Sequence, residues 1–319
     1  MSPETPAMPS LPVISLAQEE SALSPLLADS FGRYGFAMVT DHGIDPALIA
    51  RGWDLTAQLF ALPDAEKRRW HRAGGGGARG YTPFGTEIAK GAAVHDLKEF
   101  WHVGRDLAPG DPLAATMPPN VWPDRPEGFA ATFRALYAAF DAVGARVLAQ
   151  LAVALGLPAQ WFDAGIAEGN SVLRLLHYPP VAGAGAAAGA IRAAAHEDIN
   201  LITLLLGAEE AGLELLTRDG RWIEVTPPPG ALVINIGDML QRLTNHVMPS
   251  TTHRVRNPAG ARAGHSRYSM PFFLHLRSDF VIRTLPGCVS ADNPDRYPES
   301  ITADAYLQQR LREIGLIGG

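Results

Sequence analysis

The residue types and spacing best suited to chemistry lie in His196-Glu197-Asp198 and, later in the chain, at His253. Side chains two positions apart on a strand point to the same face, so His196 and Asp198 can converge while Glu197 turns away. Two imidazoles and one carboxylate on one side of a metal form a facial triad that suits non-haem Fe(II) and leaves positions open for O2 and a cosubstrate. Three protein ligands also suit catalytic zinc, so these residues alone leave the choice of metal open.

A second pair of polar residues, Arg267 and Ser269, shares one face of another strand-like segment. A guanidinium fork beside a hydroxyl is well suited to a carboxylate held in a pocket. The apolar residues 270–274 follow directly, so both polar side chains lie next to the predicted core. An arginine that faces a core usually requires an anion, and the pair therefore predicts a carboxylate-binding site.

Many short strand-like segments, separated by turn residues, would have to position these groups. The segments span 171–178, 201–206, 213–216, 222–225, 231–236, 251–255 and 268–276. Short strands at this spacing suggest a sandwich or jelly roll. A long helical pattern over 127–157 precedes them and predicts a scaffold helix.

Composition restricts the class of protein. The chain has 319 residues, of which 47% are hydrophobic and 19% charged, as in a globular protein. Its net charge of −6 argues against nucleic acid as the main partner. The absence of an uncharged apolar run of about 18 residues predicts no membrane span. Residues 1–16 do not resemble a signal peptide and Cys288 is the single cysteine, so we expect a cytoplasmic protein without an internal disulfide.

Several segments of the chain, including those that carry the predicted ligands, resemble the iron- and 2-oxoglutarate-dependent dioxygenase superfamily. The resemblance is to the branch that contains isopenicillin N synthase and the plant flavonoid and gibberellin oxidases. The resemblance rests on HEDINLITLLL, GLELL, WIEVTPPPGALVINIGDMLQRLTN, STTHRVRNP and RYSMPFFL. Nearer the amino terminus it rests on LPVISL, FGRYGFAMVTDHGI and NVWP. The segments occur in order and cover most of the chain.

The resemblance implies a fold that is mainly β with flanking helices, built on a double-stranded β-helix, which is a cupin-like jelly roll. It implies a mixed α/β region over 1–125 that packs on the core. Residues 126–319 would then hold the scaffold helix, the catalytic domain with its core at about 171–278, and a carboxy-terminal helix. We expect one compact unit.

The resemblance also assigns roles to individual residues. The implied Fe(II) ligands are His196, Asp198 and His253. Arg267 and Ser269 would bind the distal carboxylate of the cosubstrate 2-oxoglutarate, and Tyr178 matches a tyrosine near the same cosubstrate. Many relatives carry Asn two residues before that tyrosine, where this chain has Leu176, so Tyr178 could instead line the substrate side.

The implied reaction is hydroxylation or desaturation of a small organic substrate by O2, with release of succinate and CO2. Residues in the segments that contribute to the pocket in relatives are the candidate substrate contacts. They are Arg79, Tyr81, Phe100 and Phe272. We expect a monomer with a small-molecule substrate and with neither nucleic acid nor membrane as a partner.

Two alternatives remain open at this point. One is an oxidase that uses iron and O2 without 2-oxoglutarate, as isopenicillin N synthase does. The other is a non-catalytic jelly roll that binds a metal or a ligand. Binding of 2-oxoglutarate to the Fe(II) form separates both from the dioxygenase.

Overall fold

The computed structural model describes residues 10–73, 77–86, 98–180, 192–207, 212–257 and 264–313. Within these ranges the chain forms three β-sheets with helices packed around them. The strands are β1 (Val13–Ser15), β2 (Phe36–Thr40), β3 (Gly80–Thr82), β4 (Glu99–Gly104), β5 (Val172–Tyr178), β6 (Ala193–His196), β7 (Ile202–Leu206), β8 (Leu213–Leu216), β9 (Trp222–Glu224), β10 (Leu232–Ile236), β11 (His253–Val255), β12 (Arg267–Leu274), β13 (Val281–Ile282) and β14 (Ile301–Thr302). The α-helices are α1 (Glu20–Tyr34), α2 (Pro46–Phe60), α3 (Asp64–Lys67), α4 (Phe129–Ala154), α5 (Asp163–Ile166), α6 (Asp238–Leu243) and α7 (Ala303–Glu313).

Two of the sheets enclose the interior of the fold. The large sheet has the order β1-β2-β10-β7-β12-β5-β4-β3, and the small sheet has the order β6-β11-β8-β9. All pairings in both sheets are antiparallel except that of β1 with β2. An apolar cluster joins Phe36 and Val233 of the large sheet to Leu215 and Val255 of the small one. The mainly β jelly roll expected from the sequence is therefore confirmed.

The outer face of the large sheet packs against helices, and α4 is the longest of these. It has 26 residues, and its buried side chains include Phe133, Phe140 and Leu151. By length and composition alone this helix could cross a membrane, although the sequence predicted no such segment. More than half of its most apolar window is buried inside the protein, which is typical of a core helix.

A buried polar network fixes the start of β4 on the same outer face. The Lys67 ammonium lies 2.7 Å from one Glu99 oxygen, and His177 Nδ1 lies 2.7 Å from the other. The Tyr81 hydroxyl also donates to Glu99. Buried charges need partners of this kind, because desolvation without compensation is costly. The network therefore holds β3, β4 and β5 against α3.

Candidate active site

The three predicted metal ligands meet between the two sheets. His196 ends β6 and lies directly opposite His253, the first residue of β11. Asp198 follows in the loop after β6, and its Oδ1 lies 3.8 Å from His196 Nε2. One ligand atom from each residue lies within 4.8 Å of the others. The sequence expected strand alternation to bring Asp198 beside His196, but Asp198 lies in the loop after β6; the pairing of β6 with β11, which the sequence did not predict, brings His253 to the same point.

Backbone carbonyls orient both imidazoles toward that point. Nδ1 of His196 lies 2.7 Å from the Ala194 oxygen, and Nδ1 of His253 lies 3.1 Å from the Thr251 oxygen. A ring nitrogen beside a carbonyl oxygen must carry the proton, which assigns the Nδ1–H tautomer to both rings. Each Nε2 therefore keeps its lone pair for a metal, the arrangement that is usual for histidine ligands.

Two hydrogen bonds orient the carboxylate of Asp198. Thr203 Oγ1 donates to Oδ2 at 2.5 Å, and Asn235 Nδ2 donates to the same oxygen at 2.8 Å. Oδ1 is therefore left to face the imidazoles. Burial opposes ionisation of this group, but His253, His196 and these two hydrogen bonds outweigh burial and hold the pKa of Asp198 below its ordinary range. The sequence analysis did not identify Thr203 or Asn235.

The protonation state of His196 also suits metal binding. The enclosing protein lowers the pKa of His196 to about 4, chiefly by desolvating the ring and next through the neighbouring His253. The ring is then neutral near pH 7, which is the form that coordinates metals. About half of the side chain, 46%, remains accessible to an incoming ligand. Two imidazoles and one carboxylate fit Fe(II).

The predicted carboxylate-binding residues lie together on the inner face of the large sheet. Arg267 is paired directly with Tyr178, and its guanidinium carbon lies 5.3 Å from the centre of the tyrosine ring. Ser269 is paired with Leu176 and lies on the same face. The side chains of Arg267, Ser269 and Tyr178 are almost completely buried, with 3% of each residue exposed. A cation and two hydroxyls enclosed in this way fit the distal carboxylate of a 2-oxo diacid.

A further buried arginine beside this group was missed by the sequence analysis. The guanidinium carbon of Arg192 lies 5.9 Å from the centre of the Tyr178 ring, and its Nη2 donates to the His265 carbonyl at 3.4 Å. The side chain has no exposed surface. Its position as an arginine within an alanine- and glycine-rich stretch just before β6 was the available signal. Arg192 supports the start of β12, where Arg267 begins the strand.

Strand pairing decides which of the predicted substrate contacts face the triad. Thr203, which bonds to Asp198, is paired with Phe273, and Phe273 is paired with Val172, which in turn is paired with Gly104. Residues directly opposite one another in an antiparallel sheet share a face. This row therefore marks the inner face, and Phe273 belongs to it.

Of the four predicted substrate contacts, Phe100 lies on the inner face. It is paired with Leu176, and the Arg174 guanidinium carbon lies 4.5 Å from its ring centre. The same guanidinium carbon lies 5.2 Å from the centre of the Phe273 ring. Arg174 Nε also donates to His102 Nε2 at 2.5 Å. Arg174 lies outside every motif identified in the sequence, and within RYSMPFFL the sequence analysis chose Phe272 and not Phe273.

Phe272 and Tyr81 lie on the outer face, contrary to the expectation that they face a substrate. The Phe272 ring stacks on Phe140 of α4 with 5.6 Å between centres. Tyr81 is paired with the core residue Trp101, and its hydroxyl donates to Glu99. Side chains alternate along a strand, so each of these two residues is one position out of register with the interior. The prediction that Phe272 and Tyr81 contact a substrate is therefore wrong, and both residues pack in the core.

Arg79 precedes β3, and its guanidinium covers the inner face of β4. A Cβ added at Gly104 would overlap the Arg79 Cζ, so only glycine leaves room for the arginine. Arg79 Nη2 donates to Asn170 Oδ1 at 2.9 Å. The guanidinium therefore lies at the inner face, and its contact with a substrate stays a prediction.

Comparison with known proteins supports the same assignment. Residues 11–125 match the family model of the non-haem dioxygenase in morphine synthesis N-terminal region, and residues 169–276 match that of the 2OG-Fe(II) oxygenase superfamily. A proline hydroxylase, buaE, from Petromyces alliaceus is 34% identical over 92% of this chain and 93% of its own length. A 2-oxoglutarate-Fe(II) type oxidoreductase from Aspergillus fumigatus is also 34% identical, over 86% of this chain and 82% of its own.

Solved structures share the whole fold. A 2OG-Fe(II) oxygenase family protein from Caulobacter crescentus is 53% identical and superposes with a TM-score of 0.89, covering 96% of this chain and 100% of that one. A full-length Neurospora crassa protein in complex with alpha-KG, which is 2-oxoglutarate, is 29% identical with a TM-score of 0.83, covering 95% and 96%. These neighbours have the double-stranded β-helix fold. The chain therefore belongs to the 2-oxoglutarate- and Fe(II)-dependent oxygenase superfamily and is a dioxygenase of that family.

Proposed function

We propose that this protein holds Fe(II) through His196, Asp198 and His253 and uses it to oxidise a small organic molecule at the inner face of the large sheet. The single observation that carries the proposal is the convergence of the three ligand atoms within 4.8 Å. Fe(II) with 2-oxoglutarate and O2 supplies the oxidising chemistry of this family, which ends in succinate, CO2 and a hydroxylated or desaturated product.

The remaining residues of the proposed site orient the reactants and exclude water. Arg267 and Ser269 would bind the distal carboxylate of 2-oxoglutarate, and Tyr178 would cover it. Thr203 and Asn235 hold the Asp198 carboxylate in one orientation. These side chains are buried or partly buried, and desolvation strengthens the electrostatic contacts that each would make with a bound anion.

The substrate would lie against the inner-face aromatic residues Phe100 and Phe273. Phe273 is paired with Thr203, the hydrogen-bond donor to Asp198, so its ring lies in the same inner-face row as the residue that orients this ligand. Arg174 lies over both rings and supplies a polar edge. Apolar walls with a few oriented polar groups are typical of small-molecule pockets.

The substrates of relatives are consistent with a pocket for a small molecule. Complexes of the Neurospora crassa protein contain thymine or 5-formyluracil, a rice relative is a dioxygenase for auxin oxidation, and the Petromyces alliaceus relative is a proline hydroxylase. All are small organic molecules, but they share no single skeleton. Fold analogy therefore supports the size of the substrate and not its identity.

Anaerobic optical titration of the Fe(II)-loaded protein with 2-oxoglutarate tests the proposal. We expect a weak visible charge-transfer band that saturates as the cosubstrate chelates the metal. The Arg267→Gln variant should need at least about tenfold more 2-oxoglutarate, since a buried charge-assisted contact is lost. Iron bound without any band would instead favour an oxidase that does not use 2-oxoglutarate, or a binding protein.

We further propose that the protein belongs to the isopenicillin N synthase-like branch, acts in the cytoplasm and is a monomer. The branch is supported by the HEDINLITLLL and RYSMPFFL segments, and the location by the single, buried Cys288. Sedimentation velocity at micromolar concentration should give one species near 34.1 kDa. A species of twice that mass would contradict the monomer, and recovery of the protein in a periplasmic or extracellular fraction would contradict the location.

A further inference from the structure

Arg79 presents a buried positive charge at the inner face of the large sheet. Gly104 follows Phe100 and His102 at alternate positions of β4, and both of these are paired with inner-face residues of β5. The guanidinium lies flat over Gly104, where an added Cβ would overlap Cζ, Nε and Nη2. Because glycine has no side chain, the guanidinium can reach the interior at this position.

The hydrogen bonds of Arg79 leave its charge uncompensated. Nη1 donates to the Ala78 carbonyl at 2.7 Å, and Nη2 donates to the carboxamide oxygen of Asn170 at 2.9 Å. Nε is buried without a partner, and within the described ranges no carboxylate forms an ion pair with this arginine. This charge is buried, because only 4% of the Arg79 residue is exposed, and burial lowers the pKa of the guanidinium.

A buried cation without a counterion is destabilising, because its desolvation is repaid by neutral oxygens alone. Arg105, the next residue along the chain after Gly104, shows the ordinary solution. Its Nη2 lies 3.4 Å from Asp141, and its Nε donates to the Gly169 carbonyl at 3.1 Å. Arg79 therefore differs from its neighbour in having a donor, Nε, and a charge that a bound anion could satisfy.

Gly104, which the Arg79 guanidinium covers, lies in the same inner-face row as Phe273 and Thr203, the donor to Asp198. His275 follows Phe273 by two positions, and its backbone N–H donates to Ser171 Oγ at 3.1 Å. Burial lowers the pKa of the His275 ring, and the charges of Asp198 and Arg79 act on that pKa in opposite directions. A molecule that binds Arg79 would extend past Phe273 toward the triad.

We propose that Arg79 binds a carboxylate of the oxidised substrate, so that the substrate class is a small organic acid. The proposal rests on the function proposed above and adds the group that the enzyme recognises. It assigns a second anion site, distinct from the Arg267 and Ser269 pair that serves 2-oxoglutarate. Asn170 is a positioning residue, because its carboxamide oxygen fixes Nη2 and thereby the plane of the guanidinium.

Calorimetric titration of the anaerobic protein, loaded with Fe(II) and saturated with 2-oxoglutarate, tests this. The probes are acid and carboxamide pairs of equal shape: benzoate with benzamide, 3-phenylpropanoate with its amide, and indole-3-acetate with its amide. We expect at least one acid to bind about tenfold or more tightly than its amide, since a charged acceptor forms the stronger bond with a guanidinium. Arg79→Gln should abolish that preference, and Arg79→Lys should retain part of it.

Arg105→Gln is the matched control, because it removes a neighbouring arginine whose charge is already paired. It should keep the preference for the acid. The Kd for 2-oxoglutarate reports whether each variant retains an intact site. If Arg79→Gln fails to fold, Asn170→Ala keeps the guanidinium but removes its orienting acceptor, and the preference should fall about threefold to tenfold.

The outcomes separate the two proposals. A native protein that does not bind 2-oxoglutarate contradicts the dioxygenase function itself. A native protein that binds 2-oxoglutarate but binds every acid no better than its amide overturns the role of Arg79 alone. Equal acid preference in the native protein and in Arg79→Gln overturns it as well.

Discussion

Phe272 and Phe273 are consecutive residues of β12 whose rings lie on opposite faces of the large sheet. Phe272 stacks on Phe140 of the scaffold helix, whereas Phe273 is paired with Thr203, which donates a hydrogen bond to Asp198. The first ring is completely buried, and the second keeps part of its surface accessible. Two aromatic rings of the same size on one strand therefore serve the core and the pocket separately.

Alanine substitutions at these two positions should affect different properties, protein stability for Phe272 and substrate binding for Phe273. Phe272→Ala leaves a cavity between β12 and α4 and should lower the free energy of unfolding by about 3 to 5 kcal/mol. Phe273→Ala should cost much less stability, because its ring is only partly enclosed, and should instead raise the KM for the organic substrate. Urea denaturation measures the first effect, and substrate-dependent succinate formation measures the second.

The pair serves as its own control, since the two variants remove the same atoms one position apart. The KM for 2-oxoglutarate should change little in Phe273→Ala. A stable Phe272→Ala variant with a raised substrate KM would show that the assignment of faces is reversed.

The chemistry of the site could be predicted from the sequence because it depends on local spacing. His196 and Asp198 are two residues apart, as are Arg267 and Ser269; alternation along β12 brings the second pair together, whereas the first pair is close because Asp198 directly follows the end of β6. His253 was predicted as the third ligand from its residue type in a later strand-like segment, and the resemblance to the family implied the same role. Phe272 was wrongly favoured over Phe273 because the run 270–274 is apolar at every position. Alternation from Arg267 and Ser269 places position 273 on their face, and the strand register agrees.

Elements whose residues are buried on both faces, or carry no side-chain pattern, could not be predicted. All six residues of β4 are buried, and its Glu99 points to the outer face, so hydrophobic alternation is absent from the sequence. Strand β6 reads Ala-Ala-Ala-His, which gives no β preference. The long helix, by contrast, was expected over 127–157 and spans Phe129–Ala154, because it has one continuous apolar stripe.

The hydrogen bonds to Asp198 should determine how tightly iron is held. Asn235→Ala removes a donor to Oδ2, and Thr203→Val removes the other. Partners of metal ligands typically contribute about 10- to 100-fold to metal affinity, so each variant should raise the Kd for Fe(II) by a factor in that range. Competition with a chelator of known affinity measures it anaerobically.

Thr217→Val offers a control of the same chemical type, because the Thr217 hydroxyl bonds within an exposed turn. Its iron affinity should equal that of the native protein. Unchanged affinity in both Asn235→Ala and Thr203→Val would mean that Asp198 does not depend on these donors for its orientation.

Two histidines, one in the triad and one outside it, should respond differently to substitution. His196→Ala removes a ligand and should abolish both stoichiometric iron binding and succinate formation. His246→Ala removes a ring whose Nε2 lies 2.6 Å from the Tyr297 hydroxyl, away from the triad, and iron should still bind at one equivalent. Metal analysis after gel filtration distinguishes the two, and full iron occupancy in His196→Ala would make the ligand assignment wrong.

The buried Glu99 network should make stability depend on pH in the acidic range. Burial raises the pKa of Glu99, but the hydrogen bonds from His177, Lys67 and Tyr81 outweigh it, and the net pKa lies below the ordinary value of a glutamate. A carboxylate with a lowered pKa in the folded state contributes stability above its unfolded pKa and loses it as the pH falls through the folded pKa.

Glu99→Gln should therefore lower the free energy of unfolding by about 3 kcal/mol at pH 7, since it leaves the Lys67 ammonium buried without a counterion. As the pH falls through the lowered pKa of folded Glu99, the native carboxylate becomes protonated as well, and the difference between the two proteins should shrink. Urea denaturation at several pH values measures both quantities, with Asp54→Asn as a control for an exposed ion pair, expected to change stability by less than about 0.5 kcal/mol. A difference between native protein and Glu99→Gln that stayed constant from pH 7 to pH 3 would show that packing, and not the charge of Glu99, stabilises the contact between α3 and β4.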